Sequence, residues 1–107
     1  MESDLVLKKV LGILEERQAD EVVVIDVKGR SDVVDYFVVA SGKSSSHMRA
    51  LFSYLKTAVR QEFHIQPFWQ EDDGASWIVL DVGSIIIHLF EPRRRAFYNL
   101  EEVWSSK

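Results

Sequence analysis

A serine-rich turn is the first stretch of this chain whose residue types could support chemistry. Residues 41–45 read Ser-Gly-Lys-Ser-Ser, and backbone amides at the start of a helix bind anions such as phosphate. A phosphate-binding loop, however, requires two glycines that flank four residues, followed by Lys and Ser or Thr. Phe37 stands where the first glycine is needed. The turn therefore favours a plain helix cap, with a nucleotide-dependent transferase that uses Gly42 as the alternative function.

The same region lacks the clustered acids and histidines that metal-dependent chemistry requires. Nucleotidyl transfer uses metal ions held by clustered carboxylates, yet the only acid between residues 47 and 63 is Glu62. The three histidines, His47, His64 and His88, are scattered and form no HExxH pattern. The sequence therefore predicts no metal site.

A Ser–His–Asp triad is conceivable on paper from Ser84, His88 and Asp81. Ser84, however, falls in a hairpin turn and lacks the nucleophile elbow that presents a catalytic serine. We therefore predict no catalytic residue, no cofactor and no enzymatic activity.

The hairpin around Ser84 is the element that positions the candidate functional residues. Two apolar runs, Trp77–Val82 and Ile85–Phe90, flank Gly83-Ser84, and glycine before a small polar residue is typical of a two-residue hairpin turn. Such a turn fixes the register. The predicted cross-strand pairs are Val82 with Ile85, Asp81 with Ile86, Leu80 with Ile87, Val79 with His88, Ile78 with Leu89 and Trp77 with Phe90.

The two faces of this hairpin differ in character, because side chains alternate between the faces of a strand. One face is purely aliphatic and is predicted to be core: Ile78, Leu80, Val82, Ile85, Ile87 and Leu89. The other mixes aromatic, apolar and ionisable groups: Trp77, Val79, Asp81, Ile86, His88 and Phe90. Protein interfaces favour aromatics among polar groups, which indicates a partner surface. The alternative is a sheet covered on both sides, with Trp77 as core and Asp81–His88 as a satisfied buried pair.

The remaining elements predict a single α/β (α+β) domain over residues 1–107, with a mixed five-stranded sheet. Helical spacing indicates helices at residues 3–18 and about 45–63, and a last helical segment near Leu100–Trp104. Strands are predicted at Val22–Val27, Tyr36–Ala40 and Pro67–Trp69. The short connection makes the first two strands antiparallel neighbours.

Composition narrows the possible environments and partners. A net charge of −4 argues against generic electrostatic binding of nucleic acid. The chain has no cysteine, acids occupy the N-terminal residues where a targeting peptide is basic, and no apolar run approaches the ~20 residues that span a bilayer. These features favour a cytosolic protein without a membrane partner.

The basic stretch Arg93-Arg94-Arg95 is the exception to the acidic character. Glu91, Glu101 and Glu102 lie close to it in sequence, which is typical of a solvated, ion-paired corner. A minor contact with RNA phosphates is the alternative. Tyr98, with its polar tip, is the aromatic of this region expected to stay at the surface.

Four segments carry a resemblance that covers nearly the whole chain. They are Asp26-Val27-x-Gly29-x-Ser31, Ser41-Gly42-x-Ser44-Ser45-x-His47, Trp77-x-x-x-Asp81-x-Gly83 with His88-x-Phe90, and Arg95-x-Phe97-Tyr98-x-Leu100-Glu101-x-x-Trp104. In this order and spacing they resemble the ribosomal silencing factor family, RsfS, also called Iojap. Two features depart from the family pattern. Ser46 stands where the family has arginine. Glu71 and Gly74, whose counterparts are adjacent in the family, are separated here by two aspartates in the loop before Trp77. These departures leave any contact by that arginine and the shape of the loop open.

The resemblance implies a fold related in architecture to nucleotidyltransferases, without their catalytic residues. It implies binding to the large ribosomal subunit at its joining face, through the ribosomal protein numbered fourteen. Such binding blocks association with the small subunit and represses translation when nutrients are scarce. Homodimers are implied as well.

The resemblance also assigns roles on the second hairpin face. The predicted apolar anchors are Trp77, Val79 and Phe90. Asp81 and His88 are predicted to orient the partner, and Arg95 and Tyr98 to extend the rim of the site.

Overall fold

The fold is taken from a computed structural model, which describes residues 2–30, 32–71 and 76–91. Its elements, in chain order, are α1 (Glu2–Glu16), β1 (Asp20–Asp26), β2 (Tyr36–Ser41), α2 (Ser45–Phe63), β3 (Phe68–Glu71), β4 (Trp77–Asp81) and β5 (Ile85–Phe90). The predicted strands and helices in these ranges are confirmed, with ends that differ by one or two residues. The segment predicted near Leu100–Trp104 lies outside the described residues.

The five strands form one mixed sheet in the order β1-β2-β5-β4-β3. β5 is the central strand: it runs parallel to β2 and antiparallel to β4. β1 pairs antiparallel with β2, as the short connection predicted. The mixed five-stranded sheet expected from the sequence is therefore confirmed.

The β4–β5 hairpin has the predicted register. Trp77 lies opposite Phe90 and Val79 opposite His88, and the Val82 amide donates to the Ile85 carbonyl at 3.0 Å to close the turn. Gly83 has a φ of +95°, a left-handed conformation that glycine adopts without steric cost. The turn chemistry therefore fixes which side chains share a face.

Both described helices pack on the aliphatic face of the sheet. The hairpin residues predicted as core are all buried there: Ile78, Leu80, Val82, Ile85, Ile87 and Leu89. The two helices complete this core with buried residues at helical spacing: Val6, Val10 and Leu14 of α1, and Met48, Leu51, Leu55 and Val59 of α2. Removing this apolar area from water is the main stabilising contribution to the fold.

Candidate functional site

The opposite side of the sheet is the candidate site, and we call it the aromatic face. Cross-strand pairing places on it Val23, Ile25, Phe37, Val39, Trp77, Val79, Asp81, Ile86, His88 and Phe90. A small buried cluster lies at its centre: Ile25, Val27, Val39 and Phe90. Neither α1 nor α2 contributes a residue to this cluster. The two described helices therefore do not cover this face of the sheet.

Trp77 lies on the aromatic face, at the start of β4 and away from the helix-packed core. Its indole stacks on the ring of Phe90, with centroids 6.2 Å apart and planes at 25°. The side chain is partly exposed. The predicted orientation of Trp77 is thus confirmed, while its contact with a partner stays a prediction.

Phe90, which was predicted to be an apolar anchor, lies on the aromatic face and is only 1% exposed. Its contact with a partner stays a prediction, because alternation along a strand assigns a face but not the depth of burial. Phe90 ends the central strand, where Val39 and Trp77 flank it in the same packed cluster. Its ring stacks on that of Trp77 and helps to hold the indole in place.

Val79 and Asp81 follow Trp77 along the same strand. Val79 is partly exposed and Asp81 is exposed. The Asp81 carboxylate accepts a hydrogen bond from the Gly83 amide at 2.9 Å, which explains an acid at the last position of β4. The alternative of a satisfied buried Asp81–His88 pair is excluded, because Asp81 is exposed and the Nδ1 atom of His88 is buried without a hydrogen-bond partner.

His88 lies on the central strand, close to the rings of Phe90 on the same strand and of Phe37 on β2. Its imidazole is parallel to Phe90, with 6.0 Å between centroids and 4° between planes, and lies 5.7 Å from Phe37. Burial among these groups lowers the pKa of His88 from 6.5 to about 4, because a low-dielectric surrounding disfavours the charged form. The imidazole is therefore neutral near pH 7. Sequence reasoning missed Phe37, because its place beside His88 depends on the parallel pairing of β2 with β5.

The pKa of His88 predicts a loss of stability in mild acid. The folded-state pKa lies below the ordinary value of 6.5, so the unfolded state binds the proton more readily. The stability that the neutral His88 contributes to the folded state is fully present above about pH 6.5 and is lost as the pH falls towards 4. We expect the free energy of unfolding to drop by about 1–2 kcal/mol between pH 7 and pH 5 from this residue.

Denaturant unfolding of the wild type and of His88→Gln at several pH values measures this contribution. The variant keeps His47 and His64, so the difference between the two pH profiles isolates His88. Parallel profiles would contradict the assignment.

Arg95 and Tyr98 lie outside the described residues, as does Gly74 of the acidic loop. Their place at the rim of the aromatic face therefore stays a prediction. The same holds for the basic stretch that contains Arg95.

The serine-rich turn has a packing role in the structure. A Cβ atom on Gly42 would lie 2.8 Å from the Sδ atom of Met48 and 3.3 Å from its backbone nitrogen. Glycine is therefore needed for the first turn of α2 to pack closely on the chain. Ser44 caps that helix, since its Oγ accepts from the His47 amide at 3.1 Å.

Both nitrogen donors of Lys43, which a bound phosphate would use at this turn, already have partners. The Lys43 ammonium donates to the Gln18 carbonyl at 2.8 Å, and the Lys43 amide donates to Nδ1 of His47 at 2.8 Å. Because Nδ1 of His47 accepts, its Nε2 donates to the Arg17 carbonyl, also at 2.8 Å. The motif thus fastens the end of α1 to the start of α2, a tertiary contact that sequence reasoning did not find.

The described residues also bear on other types of site. They contain no group of three or more His, Cys, Asp or Glu side chains arranged to hold a metal ion. No helix among them is long and apolar enough to cross a membrane.

Comparison with known proteins gives consistent matches over the chain. Residues 1–107 match the family described as "Ribosomal silencing factor during starvation". The "Ribosomal silencing factor RsfS" of Zymomonas mobilis is 39% identical over 101 residues, which is 94% of this chain and 76% of that protein. The protein of the same name in Bacillus subtilis is 30% identical over 105 residues, or 97% of this chain and 88% of that protein.

Two solved structures share the fold. A crystal structure of a protein from Chromobacterium violaceum has a TM-score of 0.90 at 21% identity and covers 98% of this chain and 88% of that one. A crystal structure from Bacillus halodurans has a TM-score of 0.79 at 28% identity and covers 94% of both chains. The sheet order and helix placement described above therefore recur in solved proteins.

Proposed function

The chain belongs to the ribosomal silencing factor family, and we propose that it binds the large ribosomal subunit at its joining face. Bound there, it blocks association with the small subunit and represses translation. The observation that carries this proposal is the aromatic face, which α1 and α2 leave uncovered and which presents Trp77 beside Val79. The role is regulatory and needs no catalytic group.

The geometry of Trp77 suits a protein partner. The indole is partly exposed, starts a hairpin strand and rests on the buried ring of Phe90. A side chain already held in place loses little conformational entropy on binding. Tryptophan is one of the residue types enriched among the few side chains that carry most of the binding energy of an interface.

Within the large subunit, we propose the ribosomal protein numbered fourteen as the partner. Trp77 and Val79 supply the apolar contact, Asp81 and His88 orient it, and Phe90 supports it from within. Arg95 and Tyr98 extend the rim, where a minor contact with ribosomal RNA is part of the same proposal. The net charge of −4 favours a protein surface as the main contact. The proposal also includes a cytoplasmic location and a homodimer in solution. Both follow from the resemblance to the family.

Contacts at the serine-rich turn argue against the alternative of a nucleotide-dependent transferase. Gly42 is explained by its contact with Met48, and the Lys43 ammonium is held by Gln18 and Asp20. Calorimetry with a nucleoside triphosphate and Mg²⁺ is expected to show no binding. A metal-dependent binding signal would favour the transferase.

Co-sedimentation with purified ribosomal subunits tests the proposed function. The protein is expected to pellet with large subunits and not with small ones, and to reduce joined ribosomes when it is added to large subunits first. Adding it after joining is the control and should have a smaller effect. Equal pelleting with both subunits, or unchanged joining at saturating protein, would contradict the proposal.

A further inference from the structure

The two ring nitrogens of His88 have different surroundings. Nδ1 is buried and has no hydrogen-bond partner among the described residues, while His88 as a residue is partly exposed. Nδ1 lies next to the Cβ attachment and Nε2 lies at the far edge of the ring. The exposed part of the imidazole is therefore the edge that carries Nε2.

This difference selects one tautomer of the neutral imidazole. The neutral ring carries one N–H donor and one acceptor nitrogen. A buried N–H without a partner is rarer in proteins, and more costly, than an under-satisfied acceptor. The proton therefore belongs on Nε2, where the donor points outward from the aromatic face.

The surrounding side chains hold this donor in one direction. The ring is parallel to that of Phe90 at 4° and is flanked by Phe37. Val39 and Val79 lie beside it on the two neighbouring strands. These four neighbours are apolar, so a partner that covers them removes water from the Nε2–H group. That group must then find an acceptor on the partner or lose its hydration without compensation.

We propose that His88 determines partner specificity by donating one hydrogen bond from Nε2 to a neutral carbonyl oxygen of a protein bound on the aromatic face. This inference rests on the proposed function and names the chemistry that the face recognises. A surface with the right shape but no carbonyl at this point leaves the N–H unpaired. Binding sites reject such mismatched partners more strongly than they reject small differences in apolar shape.

Asp81 explains why the acceptor is a neutral carbonyl and not a phosphate. Its exposed side chain lies on the same face, opposite Ile86, and the bond from the Gly83 amide holds it there. The neutral imidazole adds no positive charge to offset this carboxylate. An anionic acceptor would therefore meet repulsion, whereas a backbone or side-chain amide carbonyl would not.

Two substitutions separate the Nε2 donor from other effects of His88. In His88→Asn the amide reaches only the position of Nδ1, whereas in His88→Gln the longer side chain brings an N–H donor near the position of Nε2. His88→Asn is expected to weaken binding to purified large subunits about tenfold, a loss of one hydrogen bond. His88→Gln is expected to recover most of that loss. Unfolding curves of both variants verify that the protein is folded under the binding conditions.

Nitrogen-15 NMR of the histidine side chains provides an independent readout. At neutral pH, long-range correlations are expected to show His88 protonated on Nε2 in the free protein. Protonation on Nδ1 would overturn the inference, as would equal binding by the wild type and folded His88→Asn. Loss of binding in both folded variants would overturn it too, because the ring and not the donor would then be required.

The same experiment distinguishes failure of this inference from failure of the proposed function. If the wild type does not bind large subunits, both are overturned. If the wild type binds and the affinities of the variants do not follow the expected order, only the proposed role of His88 is overturned. Tight binding to protein-free large-subunit RNA, with the same ranking of variants, would overturn the neutral carbonyl acceptor.

Discussion

Trp77→Ala is expected to weaken binding to the large ribosomal subunit by at least about 2 kcal/mol, roughly 30-fold. The substitution removes the largest partly exposed apolar side chain of the β4–β5 hairpin and leaves Phe90 without the ring that stacks on it. The helix-packed core on the other face of β4 remains in place. The measurement is co-sedimentation of the folded variant with large subunits over a range of protein concentrations.

Trp69→Ala is the matched control for this variant. Trp69 is 41% exposed and packs against Phe52 at 5.6 Å and beneath the Lys56 ammonium at 4.8 Å. Both substitutions truncate a tryptophan that is partly covered by an aromatic ring, but Trp69 belongs to the helix-packed side of the sheet. It is expected to keep wild-type binding. Wild-type affinity of Trp77→Ala would remove Trp77 from the site, and a collapse of its melting temperature would make Trp77 a core residue.

Leu80→Ala is expected to lower the free energy of unfolding by about 2–5 kcal/mol. Leu80 is completely buried, lies opposite Ile87 of the central strand and belongs to the core that both helices cover. The truncation leaves a cavity in a closely packed interior, and the surrounding side chains recover only part of the lost contacts. Equilibrium unfolding in urea, monitored by tryptophan fluorescence, measures the change.

Val24→Ala is the control for the core substitution. Val24 lies on an edge strand, opposite Val38, and is 38% exposed. Its truncation therefore removes fewer contacts, and we expect a smaller loss than for Leu80→Ala. A loss below about 1 kcal/mol for Leu80→Ala would mean that the core is less closely packed than the structure shows.

Local signals in the sequence were enough to predict the hairpin and α2. The turn at Gly83-Ser84 and strict alternation fix every pair from Trp77 with Phe90 to Val82 with Ile85. The buried stripe of α2 and its cap at Ser44 give the bounds of that helix. In both cases the deciding interactions lie between residues close together in sequence.

Features that depend on distant pairing were not predicted. The burial of Phe90 follows from the central place of β5, which is set by its parallel contact with β2. The position of Phe37 beside His88 depends on the same contact, and so the environment that lowers the pKa of His88 was not apparent. The bond from His47 to the Arg17 carbonyl joins two elements whose packing no local pattern specifies.

The parallel pairing of β2 with β5 also sets the order in which the protein assembles. Tyr36 pairs with Ile85 and Ser41 with Phe90, so β2 remains without its second neighbour until the chain has been synthesised through residue 90. The edge of β2 that pairs with β5 therefore stays open while α2, β3 and β4 emerge. Contacts this distant in sequence slow folding and prolong the exposure of apolar strands. The aromatic face consequently forms only when β5, the last strand of the described residues, has been synthesised, and shorter nascent chains lack its central strand.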